Sequence, residues 1–221
     1  MINIITSFYF SNINHPNIEE RNKELQECLN NNLNNPLVEK IHLYVDDDKA
    51  LNYLNSLNNQ KINIIAIKKP LYSDLFKYAF DNLKNKICMV TNSDIYIHEA
   101  DINVLNILNQ EKIVFSLTRY EHDLSSQLID KYQGSHDCFL FKAPLDYSLI
   151  ENIQHAQHHW NSEGIVLYEL NRFNAKIFNP CRQIKIVHLH KSDIREENRK
   201  RICPGKYIYV NPCIFNLDSK N

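Results

Sequence analysis

The stretch KNKICMVTNSDIYI, residues 84–97, joins an apolar run to an abrupt polar end. The run 87–90 predicts a buried strand, which stops on the polar residues 91–94 (Thr-Asn-Ser-Asp) before apolar residues resume. Open α/β sheets bind their ligands at the carboxyl ends of their strands. The stretch therefore predicts a ligand site at the end of a central strand.

The segments around this strand alternate between strand-like and helix-like patterns. Such alternation is typical of βαβ units and of a mostly parallel sheet, so we predict one α/β domain over residues 1–221 with a polar tail. The other predicted strands are 2–8, 38–45, 62–67, 113–117, 138–141 and 184–190, and the predicted helices are 17–30, 49–57, 72–83, 102–109 and 163–172.

Composition and charge limit the function classes. The formal net charge of −1 argues against nucleic acid as a partner, because no basic excess is present to neutralise phosphates. No apolar run approaches the length of a transmembrane segment, and we interpret the N-terminal MINIITSFYF as a first strand instead of a signal peptide. Six cysteines without a CxxC pair predict reduced thiols in a cytoplasmic protein.

Several nucleotide and hydrolase signatures are missing from the sequence. It contains no GxGxxG, no GxxxxGK[ST] and no GxSxG, which argues against a dinucleotide-binding fold, a P-loop kinase and an α/β-hydrolase. The polar strand end is therefore the best lead. An acid there, Asp94, could hold Mg²⁺ or Mn²⁺ against a diphosphate, or the tetrad could simply form an Asx turn.

Histidines and two further acids are candidates for chemistry. His188 and His190 are spaced to face one side of a strand, where they would bind a metal or phosphate, or simply lie half-exposed. Asp137 precedes a strand and Glu163 opens a helix, so each is a candidate base, although Glu163 also suits a first helical turn. The histidines of IQHAQHHW form a third group, which lacks the spacing of a zinc site. We predict that this stretch is a loop with incidental histidines.

The order NSDIYI, SLTRYE, GSHDCFLFK, WNSEG and NAKIFNPCRQIKIVHLHKSDIR resembles small GT-A-type glycosyltransferases, among them the capsid-glycosylating domain of a large algal virus. The resemblance implies a single GT-A-like (Rossmann-like) domain whose central, mostly parallel mixed sheet is flanked by helices. It also implies a nucleotide-sugar-binding half at about 1–115 and an acceptor-side half at about 116–195, with a tail at 196–221.

The same resemblance implies a set of site residues. Asp94 matches the last acid of the DxD motif that holds Mn²⁺ or Mg²⁺, Asn92 replaces the first acid, and His188 or His190 matches a histidine turned toward the metal. Glu163 is the first choice of general base and Asp137 the second. The residues implied to bind the substrate are Thr6, Ser7 and Tyr9 at the base and ribose, Asp46 near the base, Tyr72 and Asp74 at a helix start facing the donor, Asn92 near the ribose or sugar, Arg119 near the donor sugar or phosphate, and Ser93.

The implied function is metal-assisted transfer of a sugar from a nucleotide-sugar donor to a hydroxyl of a glycan or glycoprotein acceptor. Two alternatives stay open at this stage. One is a non-catalytic GT-A-like module that binds a sugar or a partner, because the first acid of the DxD motif is an amide here. The other is a metal-dependent phosphoesterase built on the histidines and Asp94.

Overall fold

The computed structural model describes residues 1–192, 194 and 199–216, so the rest of the predicted tail lies outside the described residues. Its centre is a seven-stranded sheet in the order β3-β2-β1-β4-β7-β6-β8, in which only β7 runs against its neighbours. This mixed, mostly parallel sheet confirms the predicted fold class. The strands are β1 Ile2–Phe8, β2 Val38–Val45, β3 Ile62–Ile67, β4 Ile87–Thr91, β5 Ile95–Ala100, β6 Ile113–Leu117, β7 Cys138–Lys142, β8 Lys176–Phe178 and β9 Ile184–His188.

Helices cover both faces of the sheet. The α1 and α2 helices pack with Met89 on one face, whereas α3, α6 and α7 pack with Val90 on the other. Burial on both faces explains why the central strands are continuous apolar runs. No helix in the described part of the chain has both the length and the apolar composition needed to cross a membrane. The helices are α1 Ile18–Asn34, α2 Asp48–Ser56, α3 Tyr72–Asn82, α4 Ile102–Asn106, α5 Gln127–Asp130, α6 Leu149–Asn152 and α7 Ser162–Arg172, and a 3₁₀ turn at Ile107–Asn109 follows α4.

The opening stretch contains two strands that a turn separates. After β4 ends, the chain turns at residues 92–94 and continues as β5, which leaves the main sheet and pairs antiparallel with β9. In this pairing Ile95 is opposite His188, and the Leu189 amide donates to the Asp94 carbonyl at 2.9 Å. The C-terminal strand therefore brings its histidines to the polar end of β4. Neither β5 nor β8 was predicted from the sequence.

Residues 199–216, which we call the C-terminal segment, lie against the second half of the domain. Ile208 and Val210 pack on the core layer that contains α3 and α7. The Val210 amide donates to the Tyr132 hydroxyl at 3.0 Å, and the Phe215 amide donates to the Gln183 side chain at 2.7 Å. This segment therefore forms part of the domain surface beside α7.

Asn161 holds the C-terminal segment in place. Its backbone is left-handed, with φ at 73°, and its side-chain amide donates to the carbonyls of Ile202, Cys203 and Lys206 at 3.0–3.2 Å. We expect Asn161→Gly to lower the free energy of unfolding by about 1–3 kcal/mol, because glycine keeps the left-handed backbone but removes these bonds. Hydrogen exchange at the Ile202 amide should also accelerate. Unchanged protection there would show that Asn161 does not hold the segment.

All six cysteines are free, and four of them are buried. Burial raises the pKa of Cys88 to about 12, which suppresses its reactive thiolate. Only Cys203 is exposed, with Cys213 half-buried. We expect a thiol reagent to modify Cys203 quickly in the native protein and all six thiols in denatured, unreduced protein. Titration of fewer than six after denaturation would contradict the reduced state.

Candidate active site

A cleft of about 1090 Å³ opens at the carboxyl ends of β1 and β4. Because these two strands are parallel neighbours, their last side chains meet at one edge of the sheet. The hydroxyls of Ser7 and Ser93 lie 3.0 Å apart and join the two strand ends. The residues expected from the sequence that line this cleft are Ser7, Tyr9, Asp46, Asn92, Ser93, Asp94, Arg119, Asp137, Glu163, His188 and His190.

Three of the expected substrate-binding residues are not among those that line the cleft. The Thr6 hydroxyl donates to the Thr91 carbonyl at 2.8 Å inside the sheet. Tyr72 is buried in the core, with its ring near that of His155. Asp74 accepts from the Leu71 amide at 2.9 Å and so closes the first turn of α3. In this structure these side chains serve strand pairing, core packing and helix capping.

Asp94 is the centre of a buried charged cluster. Its Oδ2 accepts from His188 Nε2 at 3.1 Å and from Arg21 Nη2 at 2.6 Å, and it lies 3.8 Å from His190 Nδ1. Arg21 belongs to the first turn of α1, and it also donates to Glu24 at 3.3 Å. Arg21 was not predicted as a site residue from the sequence, because only the tertiary fold brings α1 to the end of β4.

The charges within this cluster balance. Burial alone would raise the pKa of Asp94, but the charges of His188 and Arg21 hold it well below its usual range. Burial alone would lower the pKa of His188, but Asp94 and Glu121 outweigh burial and raise it to about 9. Without a metal, a carboxylate therefore lies between a guanidinium and an imidazolium at neutral pH. Glu121, whose Oε2 is 3.8 Å from His188 Nδ1, was also missed by the sequence analysis.

The residues around Asp94 fit a divalent metal ion. Ligand atoms of Asp94, His188 and His190 lie within 4.8 Å of one another. The His190 Nε2 bonds to the Ile194 carbonyl at 2.9 Å, so Nε2 carries the proton and Nδ1, on the Asp94 side, has a free lone pair. Imidazole nitrogens with one carboxylate suit a transition metal such as Mn²⁺ better than Mg²⁺. Arg21 competes with any such ion, because it contacts the same oxygen of Asp94.

Asn92 links the strand end to Glu163. Its Oδ1 accepts from Gln157 Nε2 at 2.9 Å, and its side chain lies near enough to Glu163 to favour the charged form of that carboxyl and so lower its pKa slightly. The Gln157 contact orients the amide so that its NH₂ group is available to the carboxylate. The residue at the first position of the DxD-like motif therefore lies beside an acid on α7.

Glu163 and Asp137 have different environments. Glu163 lies in the first turn of α7, where Ser162 Oγ donates to its Oε2 at 3.0 Å. Burial, and secondarily the charge of Asp137, raise the pKa of Glu163 to about 7. Asp137 accepts from Arg119 Nη1 at 2.6 Å on one oxygen and from Ser135 Oγ at 3.1 Å on the other. Glu163 is thus poised to exchange a proton near neutral pH, whereas both Asp137 oxygens are engaged.

The histidines of IQHAQHHW lie in a loop, as predicted. The His155 ring bonds to the Ser162 carbonyl at 2.9 Å and so fixes the start of α7. The ring centres of His158 and His159 lie 4.0 Å apart beside the cleft, with the ring planes tilted by 50°. Within the described residues, none of these three histidines joins a group with metal-ligating spacing.

Comparisons with known proteins identify relatives by fold alone. No protein-family model matches the chain, and no curated protein sequence matches it. Residues 1–349 of S. aureus TarS, in complex with UDP-GlcNAc, superpose with a TM-score of 0.58 at 12% identity, covering 88% of this chain and 60% of that chain. The mannosyltransferase PcManGT from Pyrobaculum calidifontis, in complex with GDP-Man and Mn²⁺, gives 0.55 at 12% identity, covering 87% and 58%.

A third similar structure has a different activity. The 4-diphosphocytidyl-2C-methyl-D-erythritol synthase from Anaerococcus prevotii gives a TM-score of 0.52 at 14% identity, covering 88% of this chain and 89% of that chain. This chain spans about 60% of the TarS fragment and 58% of the mannosyltransferase chain. At such identities the similarity concerns architecture. The chain therefore has a GT-A, Rossmann-like fold, like these three structures.

Proposed function

We propose that this chain transfers a sugar from a nucleotide-sugar donor to a hydroxyl of a glycan or glycoprotein acceptor, assisted by Mn²⁺ or Mg²⁺. One observation carries the proposal: a single cleft contains both the metal-ligating group of Asp94, His188 and His190 and the Glu163 carboxyl with a pKa of about 7. The metal-ligating group suits a diphosphate leaving group, and the Glu163 carboxyl suits proton removal from an attacking hydroxyl. The finer resemblance to capsid-glycosylating viral domains stays a prediction.

Asp94, His188 and His190 would hold the ion at the donor side. When bound, such an ion neutralises charge on a leaving diphosphate. Because Arg21 already balances Asp94, an ion alone would add unpaired positive charge to a buried site. We therefore expect the ion and the nucleoside diphosphate to bind together. Ser7, Tyr9 and Asp46 stay the predicted contacts of the base and ribose, and Asn92, Ser93 and Arg119 those of the sugar or phosphate.

Glu163 would act at the acceptor side. It takes the proton of the acceptor hydroxyl while the acceptor oxygen bonds to the anomeric carbon, and the bond from that carbon to the diphosphate breaks. A base with a pKa of about 7 is well matched to this step, since it is substantially ionised at neutral pH and still holds a proton firmly. Asp137 is the second choice because Arg119 and Ser135 engage its two oxygens.

The alternatives lack comparable support. A phosphoesterase with two metals needs more ligands than the one metal-ligating group found among the described residues. A nucleotidyltransferase acting on a nucleoside triphosphate would profit from cations in the loop after β1, yet residues 9–17 contain no lysine or arginine. A purely binding module gives no reason for a base with a pKa of about 7 at the cleft.

A panel of substrates tests the proposal. Purified protein with Mn²⁺ would be incubated separately with UDP-, GDP-, CDP- and dTDP-sugars, with nucleoside triphosphates plus sugar phosphates, and with bis-p-nitrophenyl phosphate. We expect nucleoside diphosphate release from one class of nucleotide sugar. Pyrophosphate release alone would identify a nucleotidyltransferase, p-nitrophenol release alone a phosphoesterase, and nucleotide-sugar binding without any release a non-catalytic module.

A further inference from the structure

Three exposed aromatic side chains form one edge of the cleft. Trp160, Tyr207 and Tyr209, which we call the aromatic rim, line the cleft and are 49%, 50% and 61% exposed. The two tyrosine rings meet edge to face at 5.6 Å, and the Arg199 guanidinium lies 5.4 Å from the Trp160 ring centre. Exposed aromatic surface grouped beside a cleft marks an interaction site.

The aromatic rim lies beside the two candidate bases. A Cβ added to Gly164, the residue after Glu163, would meet the Asn161 side chain first and then the Tyr207 Cβ at 3.3 Å. A Cβ added to Gly134, in the loop that leads to Asp137, would meet the Tyr209 ring at 2.9 Å. Gly134 therefore allows the Tyr209 ring to approach closely, whereas Gly164 leaves room mainly for the Asn161 side chain and has Tyr207 beside it. A ligand that rests on the rim therefore extends toward the carboxylates.

Positive charge accompanies the aromatic rim. The C-terminal segment contains four basic residues and no acidic residue. Lys206 pairs with Glu169 on α7 at 2.7 Å, whereas Lys200 and Arg201 are exposed and Arg199 and Arg201 line the cleft. Arginine stacks on aromatic rings and still offers its N–H groups to carboxylate or phosphate. The rim thus combines flat apolar faces with cationic hydrogen-bond donors.

We propose that the aromatic rim, with Arg199 and Arg201, binds an anionic glycan as the acceptor, an inference that rests on the proposed function. The C–H face of a sugar ring packs on a tyrosine or tryptophan face, which is electron-rich. The acidic groups of the glycan meet the arginines. The acceptor hydroxyl then enters the cleft at Glu163.

Calorimetry in metal-free buffer tests the rim without the donor. The probes are an oligogalacturonate hexamer, which is anionic, and maltohexaose, which is neutral and of the same length. We expect the anionic hexamer to bind at least tenfold more tightly, and its affinity to fall as NaCl rises from 50 to 300 mM. Trp160→Ala, Tyr209→Ala and Arg201→Ala should each weaken it by at least tenfold. Tyr147→Ala and Arg182→Ala are the matched controls, since neither residue lines the cleft.

Several results would overturn this inference. The first is equal affinity for the two hexamers, and the second is wild-type affinity in all three rim variants. The third is sedimentation that shows a self-associated wild-type protein and monomeric rim variants. Hydrolysis of nucleotide sugar by the wild-type protein in water needs no acceptor. If that hydrolysis occurs while neither hexamer binds, the rim inference fails and the proposed function stands. If the hexamer binds through the rim but no nucleotide sugar is cleaved or bound, the proposed function fails.

Discussion

Glu163→Gln is expected to lower the rate of sugar transfer by about 10²- to 10⁴-fold while donor binding stays intact. Glutamine keeps the shape of the side chain and its contact with Ser162, but it cannot accept the proton of the acceptor hydroxyl. Loss of the interaction between the acid and the helix dipole costs only about 0.3–1 kcal/mol, so this variant should stay folded. The expected loss of transfer rate is therefore much larger than the structural effect can explain, so the catalytic and structural roles can be distinguished.

Transfer to acceptor and hydrolysis of donor should be followed in the same preparation of this variant, with Asp137→Asn as the matched control. If transfer survives Glu163→Gln within a few fold while Asp137→Asn abolishes it, the base is Asp137. If both variants transfer normally, a base-assisted displacement is excluded. Melting curves of both variants verify that each remains folded.

The pKa of Glu163 also predicts two pH profiles. Transfer should rise with pH through about 7, because the base acts in its ionised form. In the folded state this pKa is raised above its ordinary value of 4.5, so the protonated group contributes stability that is fully present below pH 4.5 and lost as pH rises through about 7. Glu163→Gln should therefore gain stability relative to the wild type between pH 5 and 8. Parallel melting profiles across that range would contradict the raised pKa.

Asp94→Asn is expected to weaken Mn²⁺-dependent binding of a nucleoside diphosphate by about a hundredfold or more. Even residues that only support metal ligands typically contribute about 10–100-fold to metal affinity, and Asp94 is the carboxylate of this group. Asparagine keeps the side-chain shape, and Arg21 retains Glu24 at 3.3 Å and the Leu189 carbonyl at 3.1 Å.

The measurement is the electron paramagnetic resonance signal of free Mn²⁺ during titration with protein and nucleoside diphosphate. His190→Gln provides a second variant that leaves the Arg21 pair intact, and it should weaken binding in the same direction by a smaller factor. Wild-type Mn²⁺ affinity in folded Asp94→Asn protein would remove Asp94 from the metal site.

Local pattern was enough to predict the fold class. The apolar run Ile87–Thr91 is buried between two helical layers, and the run Ile62–Ile67, although it forms a half-buried edge strand, packs partly against both layers. Both runs therefore indicate strands without any knowledge of the tertiary structure. Polar side chains at the end of a buried strand need a functional or capping role. The polar residues after β4 were therefore recognisable from the sequence as well. Asp94, His188 and His190 do come together.

The remaining features depend on contacts between distant parts of the chain. Arg21 is 73 residues from Asp94, and β5 is defined by pairing with β9, so neither has a local signal. Gln157 and Glu121 become site residues only through the Asn92 and His188 side chains that they contact. Thr6, Tyr72 and Asp74 matched a family pattern by position, yet local hydrogen bonds and core packing occupy them here.

The position of the C-terminal segment could not be predicted from the sequence either. Its composition predicts a polar tail, but three hydrogen bonds from Asn161 hold it beside α7. Tyr209 then lies against Gly134 and Tyr207 lies near Gly164, and both tyrosines line the cleft. Isolated glycines and one asparagine form no sequence pattern from which such a contact can be predicted. The division of the domain into a nucleotide-sugar-binding half and an acceptor-side half stays a prediction.

The most direct test is whether this cleft binds a nucleoside diphosphate through a metal. It is an isothermal titration of the wild-type protein with UDP, GDP, CDP and dTDP, in Mn²⁺ and again in EDTA. We predict that one of these nucleotides binds with 1:1 stoichiometry in Mn²⁺ and at least tenfold more weakly in EDTA. Binding of none of them in either condition, or equal binding with and without the metal, would contradict the proposed site.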